Sequence, residues 1–122
     1  MHVETSSGIV IEYDTCGDPA DPAILLIMGF GTQLLGWDAG FCRLLAARGL
    51  YVIRYDNRDC GLSTKLDKHP VDLMVFITAV MSGDVDRALA MAPYSLRDMA
   101  CDGMDLLEAL GIDRAHVVGS SM

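Results

Sequence analysis

Residues 23–28 read Ala-Ile-Leu-Leu-Ile-Met, an unbroken apolar run between a proline-containing loop and Gly29. A strand with one face in water alternates apolar and polar residues. A continuous run marks a strand buried on both faces. Such a strand needs cover above and below, and helices on both sides of a parallel sheet are the common way to supply it. The rest of the chain agrees with that demand. Residues 2–4 and 9–13 suit a hairpin, and Gly17-Asp18-Pro19-Ala20-Asp21-Pro22 forms a rigid loop. A helix over 38–48, with Phe41, Leu44 and Leu45 on one face, runs up to Gly49. Tyr51 to Tyr55 is the next strand.

The second half of the chain is helical in pattern. Residues 72–81 are apolar on nearly every side, which predicts a helix that is buried or lines a pocket. Its methionines could floor an apolar acyl pocket or belong to the core. A shorter helix is expected over 84–90. A longer one is expected over 95–110, opened by a capping box of Ser95 with Asp98 and stopped by Gly111. Its apolar positions are Leu96, Met99, Gly103, Leu106, Leu107 and Leu110. Arg97, Asp98, Asp102, Asp105 and Glu108 fall on the other face. A final short strand, 115–118, runs into Gly119-Ser120-Ser121-Met122. The order predicts an α/β fold: a mostly parallel sheet with flanking helices and an N-terminal β-hairpin, in a single domain.

Charge and composition exclude several functions. Seventeen acids against nine bases give a net charge of −8. The bases, Arg43, Arg48, Arg54, Arg58, Lys65, Lys68, Arg87, Arg97 and Arg114, are scattered, so none forms a stripe that could track a phosphate backbone. Nucleic acid is therefore not an expected partner, and the acid excess disfavours an anionic membrane surface. The apolar runs are far shorter than the roughly 20 residues of a membrane span. Cysteines 16, 42, 60 and 101 form no CxxC pair, which weakens zinc and thiol-redox readings and suits reduced thiols in a cytoplasm. The first seven residues lack the basic and apolar regions of a secretory signal.

The chemistry-bearing signal lies at residues 116–122. A strand enters Gly119-Ser120-Ser121-Met122, four of the five positions of the G-x-S-x-G turn that carries a serine nucleophile. Small residues two positions either side of the serine let the chain reverse sharply and push the hydroxyl outward. Ser121 is the candidate, and Ser120 occupies the variable position. Acyl transfer also needs N–H donors for the developing oxyanion. The amide after the nucleophile, that of Met122, is one candidate. The amide of Phe30, in the glycine-rich loop Met28-Gly29-Phe30-Gly31, is the other. Each motif alone also has an ordinary reading as a turn. His116 precedes Ser121 along a strand and reads as structural, and His69 reads as a loop residue.

A third segment carries a family resemblance: Asp56-Asn57-Arg58-Asp59-Cys60-Gly61-Leu62-Ser63 after the strand ending at Tyr55. It resembles the D-x-R-G-x-G-x-S segment of the α/β-hydrolase superfamily, with Asp59 where a glycine usually stands. With Met-Gly-Phe-Gly at 28–31, Trp37, Ala92-Pro93-Tyr94-Ser95-Leu96 and residues 109–119, the chain looks like the subgroup related to the aclacinomycin methylesterases. The resemblance runs from about Gly8 to Met122. It implies hydrolysis of carboxylic esters by Ser121, an oxyanion hole at Phe30 and Met122, a structural role for 56–59, and no metal or organic cofactor. It also implies a small-molecule ester as substrate. The triad acid and histidine of that family follow the serine, so residues 1–122 are expected to be the N-terminal part of one domain. By themselves they are expected to be inactive and to associate with a C-terminal half or a second copy. The alternative expectation is a non-catalytic module acting by oligomerisation or small-molecule binding.

Overall fold

The computed structural model describes residues 1–68 and 70–121. Five strands form one sheet in the order β1-β2-β4-β3-β5. The hairpin β1 (His2–Glu4) and β2 (Val10–Cys16) is antiparallel, with Val3 opposite Ile11. β2 also runs antiparallel to β4 (Tyr51–Tyr55). β3 (Ala23–Ile27) lies between β4 and β5 (Ala115–Gly119), parallel to both, with Leu25 opposite Ile53 on one side and Val117 on the other. The sheet is therefore mixed. Its parallel part is the three strands that end beside the candidate motifs.

The double-faced burial expected of β3 is present. Ala23 and Leu25 join Ile11, Ile53 and Tyr55 on the face covered by α4 (Leu96–Ala109), through Leu106 and Leu107. Ile24 and Leu26 turn to the opposite face, where Val52 and Cys42 of α1 (Ala39–Ala46) meet them. Full burial of a side chain such as Leu26 or Leu106 contributes about 1.5–3 kcal/mol before entropy is counted. Tyr55 is so enclosed that burial, and then Asp102, pushes its phenol up to about 12.

Caps set the helix starts. Asp38 Oδ1 accepts from the amides of Gly40 and Phe41, and Asp72 Oδ1 from those of Met74 and Val75. Ser95 and Asp98 form the expected capping box, with Oγ accepting from the Asp98 amide and the Asp98 carboxylate from the Ser95 amide. α2 (Leu73–Ser82) ends at Gly83, whose φ of +76° is the left-handed conformation glycine adopts without strain.

Three burial expectations are corrected. α1 packs through Cys42, Leu45 and Ala46, while Phe41 and Leu44 are exposed. Phe41 instead stacks on Trp37. Among the described residues α2 is largely exposed: Leu73, Met74, Ile77, Val80 and Met81 are open, only Ala79 is buried, and its contacts are chiefly with α3 (Val85–Met91). An all-round apolar pattern records a capacity for burial, and among the described residues no layer covers this helix. Asp102, placed by periodicity on the solvent face of α4, is 1% exposed and so lies in the core layer. β5 is an edge strand here, with Val117 and Val118 open on its faces.

Candidate active site

In an open sheet with parallel strands, loops leaving the carboxyl ends gather on one edge and form the usual ligand crevice. β3, β4 and β5 do this with loops 28–33, 56–63 and 120–121. Asn57 Nδ2 donates to the Met28 carbonyl at 2.8 Å, tying the second loop to the first. The Ser120 amide donates to the Ile27 carbonyl at 3.0 Å, which holds the end of β5 against β3.

Ser121 sits just past that last hydrogen bond, with φ of +72°. A non-glycine residue in the left-handed region costs about 1–2 kcal/mol, and such strain gathers at functional sites. The turn brings the Ser121 side chain over Gly29. A β-carbon at position 29 would stand 2.7 Å from Ser121 Cβ, 2.9 Å from the Ser120 carbonyl oxygen and 3.2 Å from Ser121 Oγ. Only a residue without a side chain fits beneath the serine. Gly29→Ala is therefore expected to displace Ser121, overpacking the turn by about 1–3 kcal/mol. Thermal melting of the variant beside the unmutated protein checks the effect.

Phe30 projects into solvent, and among the described residues its amide makes no hydrogen bond. Gly31, at φ +68°, turns the loop so that the Thr32 amide closes back on the Gly29 carbonyl. The amide of Phe30 is thus left free in the loop that touches Ser121. Met122, the other candidate donor, lies outside the described residues, as does His69. His116 pairs opposite Ile24 near the start of β5, at the far end of the strand from Ser121. His2 is held by Glu12, Nε2 to Oε2 at 2.7 Å. Neither histidine is brought to Ser121.

The segment after β4 is occupied by internal ties. Asp56 accepts from the Leu34 amide at 2.6 Å and from the Leu62 amide at 2.8 Å. Gly61 packs so closely on that carboxylate that a β-carbon would fall 1.9 Å from Oδ2. Asp59 explains the missing glycine of its motif: its φ is +64°, and its own Oδ1 accepts from the Leu66 amide at 3.0 Å. A short polar side chain that bonds locally is the usual substitute for glycine there. Arg58 grips Asp102 with two parallel bonds of 2.7 Å, Nε to Oδ2 and Nη2 to Oδ1. Its guanidinium lies 5.5 Å from the centroid of the Tyr94 ring. The Asp102 hydrogen bond holds Arg58 above its ordinary value, outweighing desolvation. Sequence reasoning missed this pair. The available signal was an acid within the apolar spacing of 99, 103 and 106.

A cavity of about 340 Å³ opens beside the loop, lined by Gly29, Phe30 and Gly31, by Asn57 to Cys60, and by Tyr94, Leu96 and Met99. Burial raises the Cys60 thiol above its ordinary value, with Asp56 adding to the effect. It is a protonated thiol near neutral pH and a poor nucleophile. Among the described residues no cluster of His, Cys, Asp and Glu could hold a metal ion, and no helix is long and apolar enough to cross a membrane.

No family model matches the chain. It is 33% identical over 118 residues to the rhodomycin D methylesterase DauP of Streptomyces sp. (strain C5), covering 97% of this chain and 33% of the relative. It is 31% identical over 119 residues to the putative carbamate hydrolase RutD of Caulobacter segnis, covering 98% of this chain and 36% of that one. A hydrolase from Pseudomonas aeruginosa PA01 superposes with a TM-score of 0.72 at 30% identity, over 99% of this chain and 36% of its own. The enol-lactonase of Burkholderia xenovorans LB400 gives 0.73 at 25% identity, over 100% and 37%. The chain spans about a third of the length of the curated relatives it matches. Sheet order, flanking helices and these likenesses define it as a chain of the α/β-hydrolase fold. By sequence it resembles the rhodomycin D methylesterases.

Proposed function

We propose that the protein hydrolyses carboxylic esters with Ser121 as nucleophile and the Phe30 amide as one oxyanion donor. The observation that carries the reading is the left-handed Ser121 at the end of β5, seated on the side-chain-free Gly29 of the Phe30 loop. Ser121 Oγ attacks the ester carbonyl carbon and gives its proton to a base. The carbonyl oxygen becomes an oxyanion, and N–H donors fixed near it lower the barrier. Collapse expels the alcohol, which takes the proton, and water then releases the acid by the same route. In this reading the Met122 amide is the second donor. A histidine with an orienting acid completes the site, drawn from a part of the protein other than the described residues. The relatives support ester chemistry, and a third of their length is what this chain matches.

A fluorophosphonate probe tests the assignment on the intact protein. The label is expected on Ser121 by peptide mapping. Ser120→Ala should keep most of the p-nitrophenyl butyrate turnover, because Ser120 supplies the turn with its backbone. A label mapped to Ser120, or none at all on protein that hydrolyses the ester, would overturn it.

A further inference from the structure

The cavity beside the Phe30 loop has two kinds of wall. Phe30, Leu96, Met99 and the Tyr94 ring are apolar, while Asn57, Arg58, Asp59, Cys60 and Ser95, whose hydroxyl is engaged with Asp98, are polar. Most of the polar capacity is already used. Asn57 serves the Met28 carbonyl, and Asp59 Oδ1 serves the Leu66 amide. Arg58 is different. Its residue is 8% exposed, and Nε and Nη2 are fixed on Asp102, with Nη2 also reaching the Asp98 carbonyl at 3.3 Å. Those two nitrogens share one edge of the planar fork, so Nη1 stands on the other edge. Among the described residues Nη1 has no hydrogen-bond partner, and neither does the Tyr94 hydroxyl. Neither atom is among the buried polar atoms that lack a partner, so both donors stay within reach of an acceptor from outside.

Charge narrows the ligand. Asp102, behind the wall, already balances Arg58, and Asp59 places an acid in the lining itself. An anion would enter surroundings with negative charge in excess. An uncharged oxygen acceptor on an apolar or aromatic body meets no such penalty. The volume lies at the small end of ligand pockets, about 300–1,000 Å³. Gly29 lines the cavity and also packs against Ser121, so the cavity and that serine share one residue of wall.

We propose that this cavity is a binding subsite for an uncharged, apolar or aromatic portion of the substrate, whose carbonyl or hydroxyl oxygen accepts from Arg58 Nη1 and the Tyr94 hydroxyl. Calling the ligand a substrate rests on the ester-hydrolase reading; the binding itself does not. Burial and Asp59 raise the Tyr94 phenol above its ordinary value, which keeps it a donor.

The test is a titration of Ser121→Ala protein, which removes turnover, by ligand-observed NMR with three probes. Acetophenone carries the acceptor, isopropylbenzene has the same outline without it, and benzoate adds a negative charge. Acetophenone should bind about tenfold more tightly than either other probe. Tyr94→Phe should weaken acetophenone by about threefold to tenfold while leaving isopropylbenzene unchanged. Leu96→Trp, at an exposed position on the cavity wall, should block all three, with melting confirming a folded protein. Equal binding of acetophenone and isopropylbenzene, tighter binding of benzoate, or indifference to Leu96→Trp would overturn the subsite. Acetophenone binding without fluorophosphonate labelling of the unmutated protein would uphold the subsite and overturn the hydrolase reading. Labelling without acetophenone binding would do the reverse.

Discussion

Ser121→Ala is expected to remove ester turnover almost entirely, lowering kcat by about 10⁴–10⁶-fold. Deleting a serine nucleophile costs that much because the bond-forming atom is gone, and only binding and oxyanion stabilisation remain. KM should change little, since the lost hydroxyl is small. Stability should hold: alanine keeps the β-carbon, and the same turn with φ near +72° is retained. Steady-state kinetics with p-nitrophenyl butyrate, beside a thermal melt, separates loss of chemistry from loss of fold. Turnover within tenfold of the unmutated protein would show that another group attacks the ester.

Asp102→Ala is expected to destabilise the protein by about 3–5 kcal/mol, the usual cost of stranding one member of a buried ion pair. Both partners are nearly sealed from water, Asp102 at 1% and Arg58 at 8% exposure, so the stranded guanidinium cannot recover its hydration. Two bonds of 2.7 Å would be lost together. The loss would spread to loop 56–63, because Arg58 joins that loop to α4. A urea midpoint should fall sharply for Asp102→Ala and stay within about 0.5 kcal/mol of equivalence for Glu108→Ala, an exposed residue of the same helix. Replacing both partners by apolar residues of similar volume should restore much of the stability, because no charge is then left unpaired. A small effect of Asp102→Ala would mean that water reaches Arg58 in solution.

Those two experiments probe features of unequal legibility. Ser121 and Phe30 stand out in the sequence as candidates because each belongs to a short local pattern, Gly-x-Ser after a strand and Gly-Phe-Gly after another. The structure brings the two loops together at Gly29. Asp56, Arg58 and Asp59 were recognisable as a segment, and their internal hydrogen bonds agree with a bracing role. Asp102 was misread as a surface acid. Its helical position is intermediate between the two faces, and hydropathy assigns a carboxylate to water unless its partner is known. That partner is 44 residues away, and no pattern within α4 announces it.

The amino-acid sequence by itself determined the strands, the helix starts and the turn chemistry. These depend on groups within a few residues of one another: the alternation of a backbone, a carboxylate reaching amides two or three positions on, a glycine accepting positive φ. Apolar burial of β3 on both faces followed as well, since an unbroken run allows no wet face. Only the tertiary structure decided what met across the chain. It paired Arg58 with Asp102, set Gly29 beneath Ser121, opened a cavity between the Phe30 loop and α4, and left α2 exposed despite its apolar surface. The physical reason is the same in each case. Contacts between distant residues are chosen by the shapes and charges that folding brings together, and a one-dimensional pattern carries the capacity for such contacts without their partners.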